Sequence, residues 1–191
     1  MNNPLKYIDP RGDTVRVYTE TEDWGHSWMS VGEGDDMVVY SFGPGATKKG
    51  QSDKGRIEGI ADGFLTVMGG DEAKDYNSRK AKVQGGVQTV VISDISDADV
   101  IDVVNKFIEN NTTLESKSEY GDKTTYKTNS MYKAPTNNCT TFVSDMLNSA
   151  GSEILSTSKS ITNRSVGEVN TIKVKQTFVL PSTLQSWLKK K

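Results

Sequence analysis

Asn137-Asn138-Cys139-Thr140-Thr141-Phe142-Val143-Ser144-Asp145-Met146-Leu147-Asn148-Ser149-Ala150-Gly151 contains the only cysteine of the chain. Cys139, Phe142, Val143, Met146, Leu147 and Ala150 recur at the spacing of one helix face, with asparagines before them and a glycine after. The pattern predicts a helix with Cys139 in its first turn, on the inward side. There the positive end of the helix and its unsatisfied amides favour thiolate over thiol, which suits a nucleophile. The opposing reading is a small buried hydrophobe, the usual fate of a lone cysteine on an apolar helix face.

A thiol nucleophile needs a proton acceptor, and the only imidazole is His26. It lies in Gly25-His26-Ser27-Trp28-Met29-Ser30-Val31, which pairs by pattern with Met37-Val38-Val39-Tyr40-Ser41-Phe42 across the turn formers Gly32 to Asp36. His26 is therefore expected at the start of a hairpin strand. Its bland counterpart is a half-exposed polar residue there.

Thr14 to Thr19 reads as a strand, and Gly43 to Gly86 as loops around one short apolar piece, Gly63 to Met68. Val87 to Ser93 reads as a buried strand, followed by an amphipathic helix over Asp97 to Glu109. Thr112 to Pro135 is polar and reads as an irregular connector. Ile172 to Leu180 alternates like a strand, and Pro181-Ser182 opens a short terminal helix.

Bulk properties remove several function classes. The net charge of -2 gives no general attraction to nucleic acid or to anionic lipid. The basic spots at Lys48, Lys49, Lys54 and Arg56 and at Lys189 to Lys191 are read as solvated surface. No apolar run nears bilayer-spanning length and no signal peptide is evident, so no membrane insertion is expected. With one Cys and one His, a Cys/His zinc site cannot be assembled, no calcium loop occurs, and no metal or cofactor is expected. Neither a G-x-S-x-G elbow nor a phosphate loop is present.

Gly25-His26 opening a hairpin, a long insert, a strand and helix, then Asn138-Cys139-x-x-Phe142-Val143-x-x-x-Leu147 resemble the circularly permuted papain-like hydrolases. These relate to the NlpC-type cell-wall peptidases and to lecithin retinol acyltransferase. The resemblance implies an α+β fold in which a small antiparallel sheet packs against the nucleophile-bearing helix and brings His26 against Cys139. It further implies amides at the helix start as oxyanion donors, and a polar residue on the next strand to orient the imidazole. That strand offers Tyr40 and Ser41; the count along the hairpin favours Tyr40, and one residue of slip would select Ser41. Neither is the His, Asn or acidic residue typical of the family.

Asn3-Pro4-Leu5-Lys6-Tyr7-Ile8-Asp9-Pro10-Arg11-Gly12 resembles the phrase that closes the core of RHS/YD-repeat proteins before a variable C-terminal domain. Residues 1–13 are thus expected to be a junction arm and 14–191 a single hydrolase domain. Together the two resemblances imply a secreted or delivered toxin that cleaves amide bonds, as a peptidase or amidase. Cell-wall peptide or protein would be its substrate and an immunity protein its partner. Acyl transfer, deamidation or lipid deacylation on the same fold, and a non-catalytic or nuclease toxin domain, remain alternatives.

Overall fold

Three alternating strands near the N-terminus begin a sheet that the rest of the chain completes and covers. A computed structural model describes residues 14–22, 25–45, 60–82, 86–119, 121–163 and 168–191. The expected arm at 1–13 and the basic spot at Lys48 to Arg56 lie outside the described residues. In chain order the strands are β1 (Arg16–Glu20), β2 (His26–Val31), β3 (Val38–Pro44), β4 (Ile60–Gly69), β5 (Val87–Val91), β6 (Thr112–Lys117), β7 (Lys123–Lys133), β8 (Ser156–Asn163) and β9 (Glu168–Lys175). The helices are α1 (Gly70–Ala81), α2 (Asp97–Asn111), α3 (Cys139–Ser149) and α4 (Pro181–Leu188).

The protein is α+β. Seven strands form one antiparallel sheet in the order β5-β1-β2-β3-β4-β7-β6, and β8-β9 form a separate hairpin. The sheet is larger than the small one expected, because two segments read as loop or connector supply much of it. β7 occupies part of Thr112 to Pro135, pairs with β4 along most of its length, and carries β6 on its other edge. Its Thr and Tyr side chains favour strand by shape while offering little hydrophobic signal. Likewise, α1 falls within the stretch read as loops.

Side chains alternate across a strand, so the two sheet faces bury different sets. On one face Val17, Met29, Val31, Tyr40, Phe42 and Leu65 join residues of α2, α3 and α4, including Val104, Phe142, Leu147 and Leu184. This is the main core. On the other face Tyr18, Trp28, Val39 and Met68 pack against Ala73 of α1. The α1 face is sparsely apolar; Asn77 accepts a 2.9 Å hydrogen bond from the Trp28 indole, and Lys80 Nζ stands 5.7 Å from the centre of that ring.

One irregularity of the sheet positions the site. β1 pairs with β2 from His26 to Ser30, whereas β3 pairs with β2 only from Met29 to Val31. Beyond Met29 towards the start of β2, the two strands part. His26, Ser27 and Trp28 line that opening on one side and Ser41 and Phe42 lie on the other.

Candidate functional site

Cys139 is the first residue of α3 and is 4% exposed. Its helix starts there because Asn138 caps it. Asn138 Oδ1 accepts from the amides of Thr140 and Thr141 at 2.9 and 3.0 Å, while Thr141 Oγ1 accepts from the Asn138 amide at 2.7 Å. Asn138 Nδ2 donates to the carbonyls of Ala134 and Val179, the latter at 3.0 Å, fixing the cap to the chain on both sides. The amide of Phe142 bonds to the Asn138 carbonyl.

These bonds refine the expected oxyanion donors. The Thr140 and Thr141 amides are already engaged by the cap, and the Cys139 amide is directed at the Tyr132 hydroxyl. Tyr132 OH of β7 also lies 4.0 Å from Cys139 Sγ, a long contact suited to a weak sulfur bond. Burial, followed by the nearby Cys139 charge, raises the pKa of Tyr132 above the ordinary phenol value, so its hydroxyl keeps its proton.

His26 is half-buried at the start of β2 and Nε2 lies 2.9 Å from Ser41 Oγ. Ser41 Oγ in turn lies 3.0 Å from Tyr76 OH of α1. The imidazole stacks on Trp28 at 5.5 Å, and Trp28 stacks on Tyr18 at 5.2 Å. Burial first, then the charge of Lys80, push the His26 pKa down to about 3. The ring is therefore neutral near pH 7. Nδ1 makes no hydrogen bond among the described residues, and in the tautomer whose Nε2–H donates to Ser41 it presents a lone pair.

The register settles which candidate meets His26. Ser41 lies on the α1 side of β3, whereas Tyr40 points into the main core opposite Met29, where burial raises its pKa to about 12. The preference for Tyr40 is thus corrected. The strands diverge before His26, so the imidazole reaches β3 diagonally and meets the residue that shares its face.

The same alternation governs the pair itself. Ser27 faces α3 and shares a 3.1 Å hydrogen bond with Thr140 Oγ1, so His26 points to the opposite, α1 side. Among the described residues no hydrogen bond joins Cys139 Sγ to His26, whose pairing the sequence leads one to expect. The thiol instead lies at the start of α3, which the Thr140 to Ser27 bond ties to one face of β2, and the imidazole lies on the other face of that strand against Ser41. Tyr76, on the imidazole's face, has its pKa raised to about 12 mainly by burial, and the Cys139 charge contributes.

Hydrophobic patterning in the sequence does not single out Tyr76 or Tyr132. Ala73, Tyr76, Asn77 and Lys80 occupy one face of α1 at helical spacing, but too few are apolar for hydrophobic periodicity to register. Tyr132 lies in the strand whose Thr and Tyr content was the available sign. Among the described residues no cluster of His, Cys, Asp or Glu is placed to hold a metal ion.

No family model, curated protein or solved structure matches this chain.

Proposed function

We propose that the chain is a cysteine hydrolase of permuted papain-like architecture, a peptidase or amidase with Cys139 as nucleophile and His26 as base. The observation that carries this reading is the placement of the thiol at a capped helix start that the Thr140 to Ser27 bond ties to β2, the strand on which Ser41 meets His26 Nε2. In the proposed step, Nδ1 takes the thiol proton and Sγ attacks an amide carbonyl. The Cys139 amide and Tyr132 OH then donate to the oxyanion. The imidazolium returns the proton to the leaving amine, and water attacking the thioester releases the acid and restores the thiol. Because His26 faces the α1 side of β2 while the thiol lies on the α3 side, this reading requires the imidazole to turn from Ser41 toward Sγ in the substrate complex.

The context proposed is a delivered toxin domain following an RHS-type core, with cell-wall peptide or protein as substrate and an immunity protein as partner. It rests on the N-terminal phrase and on the order of His before Cys. A second reading has a specific observation in its favour: Cys139 is buried and unbonded to His26, as a structural cysteine in a non-catalytic domain would be. Alkylation of the native protein with iodoacetamide separates the two. The hydrolase reading expects Cys139 to react faster than a free thiol at pH 6 and to slow in His26→Ala. A thiol that reacts only after unfolding would refute it. Toxicity on expression in cytoplasm and periplasm, compared with Cys139→Ala, then tests the proposed context.

A further inference from the structure

We propose that the cleft between α1 and the β3, β4 and β7 strands is a subsite for an anionic oxygen group of the substrate, a carboxylate or a phosphate. As a substrate subsite it rests on the hydrolase reading above; as an anion site it stands on its own geometry. The cleft has a volume of about 330 Å³. Ser41, Thr66 and Met68 line it from the sheet, Tyr76, Arg79 and Lys80 from α1, and Lys123 from β7.

The lining includes three cations and no carboxylate. Lys80 is partly neutralised by Glu20, whose carboxylate lies 2.9 Å away. Arg79 and Lys123 have no carboxylate partner among the described residues, and Arg79 makes only a 3.3 Å bond to the Asp75 carbonyl within its own helix. Two exposed cations, with Lys80 beside them, thus stand over a pocket whose remaining polar side chains are the hydroxyls of Ser41, Thr66 and Tyr76. A guanidinium fork beside hydroxyl donors matches the geometry of a carboxylate or phosphate. The volume lies at the low end of small-molecule sites, about 300–1,000 Å³, and admits an acidic group with its neighbouring atoms.

Location gives the cleft its role. Ser41 both lines it and holds His26 Nε2, so an occupant sits one side chain from the proposed base. Substrates bearing an acidic residue or a phosphate next to the scissile bond would be preferred. Met68 adds an apolar wall for the adjoining methylene carbons.

The test titrates the full chain, as Cys139→Ala to silence covalent chemistry, with N-acetyl-L-glutamate and separately with inorganic phosphate, followed by calorimetry. Saturable binding of either is expected, weakened by added salt, with the tighter ligand naming the source of the anion. The Arg79→Gln/Lys123→Gln double variant replaces exposed side chains and should still fold, as checked by its melting temperature. It should weaken that binding by about tenfold or more. No saturable binding of either anion, or binding untouched in the double variant, overturns the subsite. An unreactive Cys139 in a protein that still binds the anion would instead retire the hydrolase reading and leave the anion site standing.

Discussion

Ser27 and Thr140, 113 residues apart in sequence, share a 3.1 Å hydrogen bond between fully buried hydroxyls. Each directly follows a proposed catalytic residue, His26 in one case and Cys139 in the other. The bond therefore fixes the start of α3 against β2 at the point where the chemistry is proposed.

Ser27→Ala leaves the Thr140 hydroxyl with only its weak 3.9 Å contact to Cys139 Sγ in a dry site, at a cost of about 1–3 kcal/mol. A lower urea midpoint is expected, with the slope of the transition unchanged. Cys139 alkylation should slow as well, because the helix start loses its tie to the strand that carries His26. Unchanged alkylation with reduced stability would make the bond purely structural.

His26 should make the fold acid-sensitive. Its native pKa is pushed down to about 3 by burial and Lys80, whereas an unfolded histidine titrates near 6.5. Between these values the unfolded chain binds a proton that the native chain does not, so stability falls as pH drops through that window. The contribution is fully present above about pH 6.5. Urea midpoints measured at pH 7 and pH 4.5 should differ more in the wild type than in His26→Gln. An equal drop in both would assign the acid sensitivity elsewhere.

Ser41 and Tyr40 make opposite predictions although adjacent. Ser41→Ala removes the bond to Nε2 and isolates Tyr76, and should slow Cys139 alkylation by about fivefold, the effect of one hydrogen bond worth about 1 kcal/mol. Tyr40→Phe alters only the core face and should leave that rate within experimental error. Rates measured as a function of pH give the sharper comparison, since loss of an orienting bond shifts the profile while simple loosening lowers it throughout.

Asn138→Asp separates capping from charge. The carboxylate still accepts from Thr140 and Thr141, so the helix start persists. It cannot donate to the Ala134 and Val179 carbonyls, and it sets a negative charge one residue from Sγ. The midpoint of the alkylation pH profile should move upward, because a like charge disfavours thiolate. In Asn138→Ala the expected loss is stability, about 1 kcal/mol. A downward midpoint in Asn138→Asp would contradict the proposed electrostatics.

The sequence was most legible where one residue class dominates a face. The apolar stripe of α3, the paired apolar strands β2 and β3, and the helix over Asp97 to Glu109 all carry their packing in their spacing. Polar elements were not legible in that way. β7 is a run of Thr, Lys, Asn and Tyr, and its strand state follows from pairing with β4 on one edge and β6 on the other. α1 presents Tyr76, Asn77 and Lys80 to the sheet, so its docking depends on hydrogen bonds to Ser41 and the Trp28 indole. The same limit applies to the site. Cys139 and His26 stood out as unique residues, but the opening of β2 from β3, which turns His26 towards Ser41, is a tertiary feature with no local signature.

The 113-residue separation across the Ser27 to Thr140 bond also bears on folding. Contacts so distant in sequence close late, because loop entropy must be overcome before they contribute. Until α3 docks on β2, the sole thiol is open to oxidants and mixed disulfides that the native packing keeps out. Refolding under reducing conditions should therefore recover more native protein than refolding in air, and the catalytic arrangement proposed here would be absent from any partly folded chain.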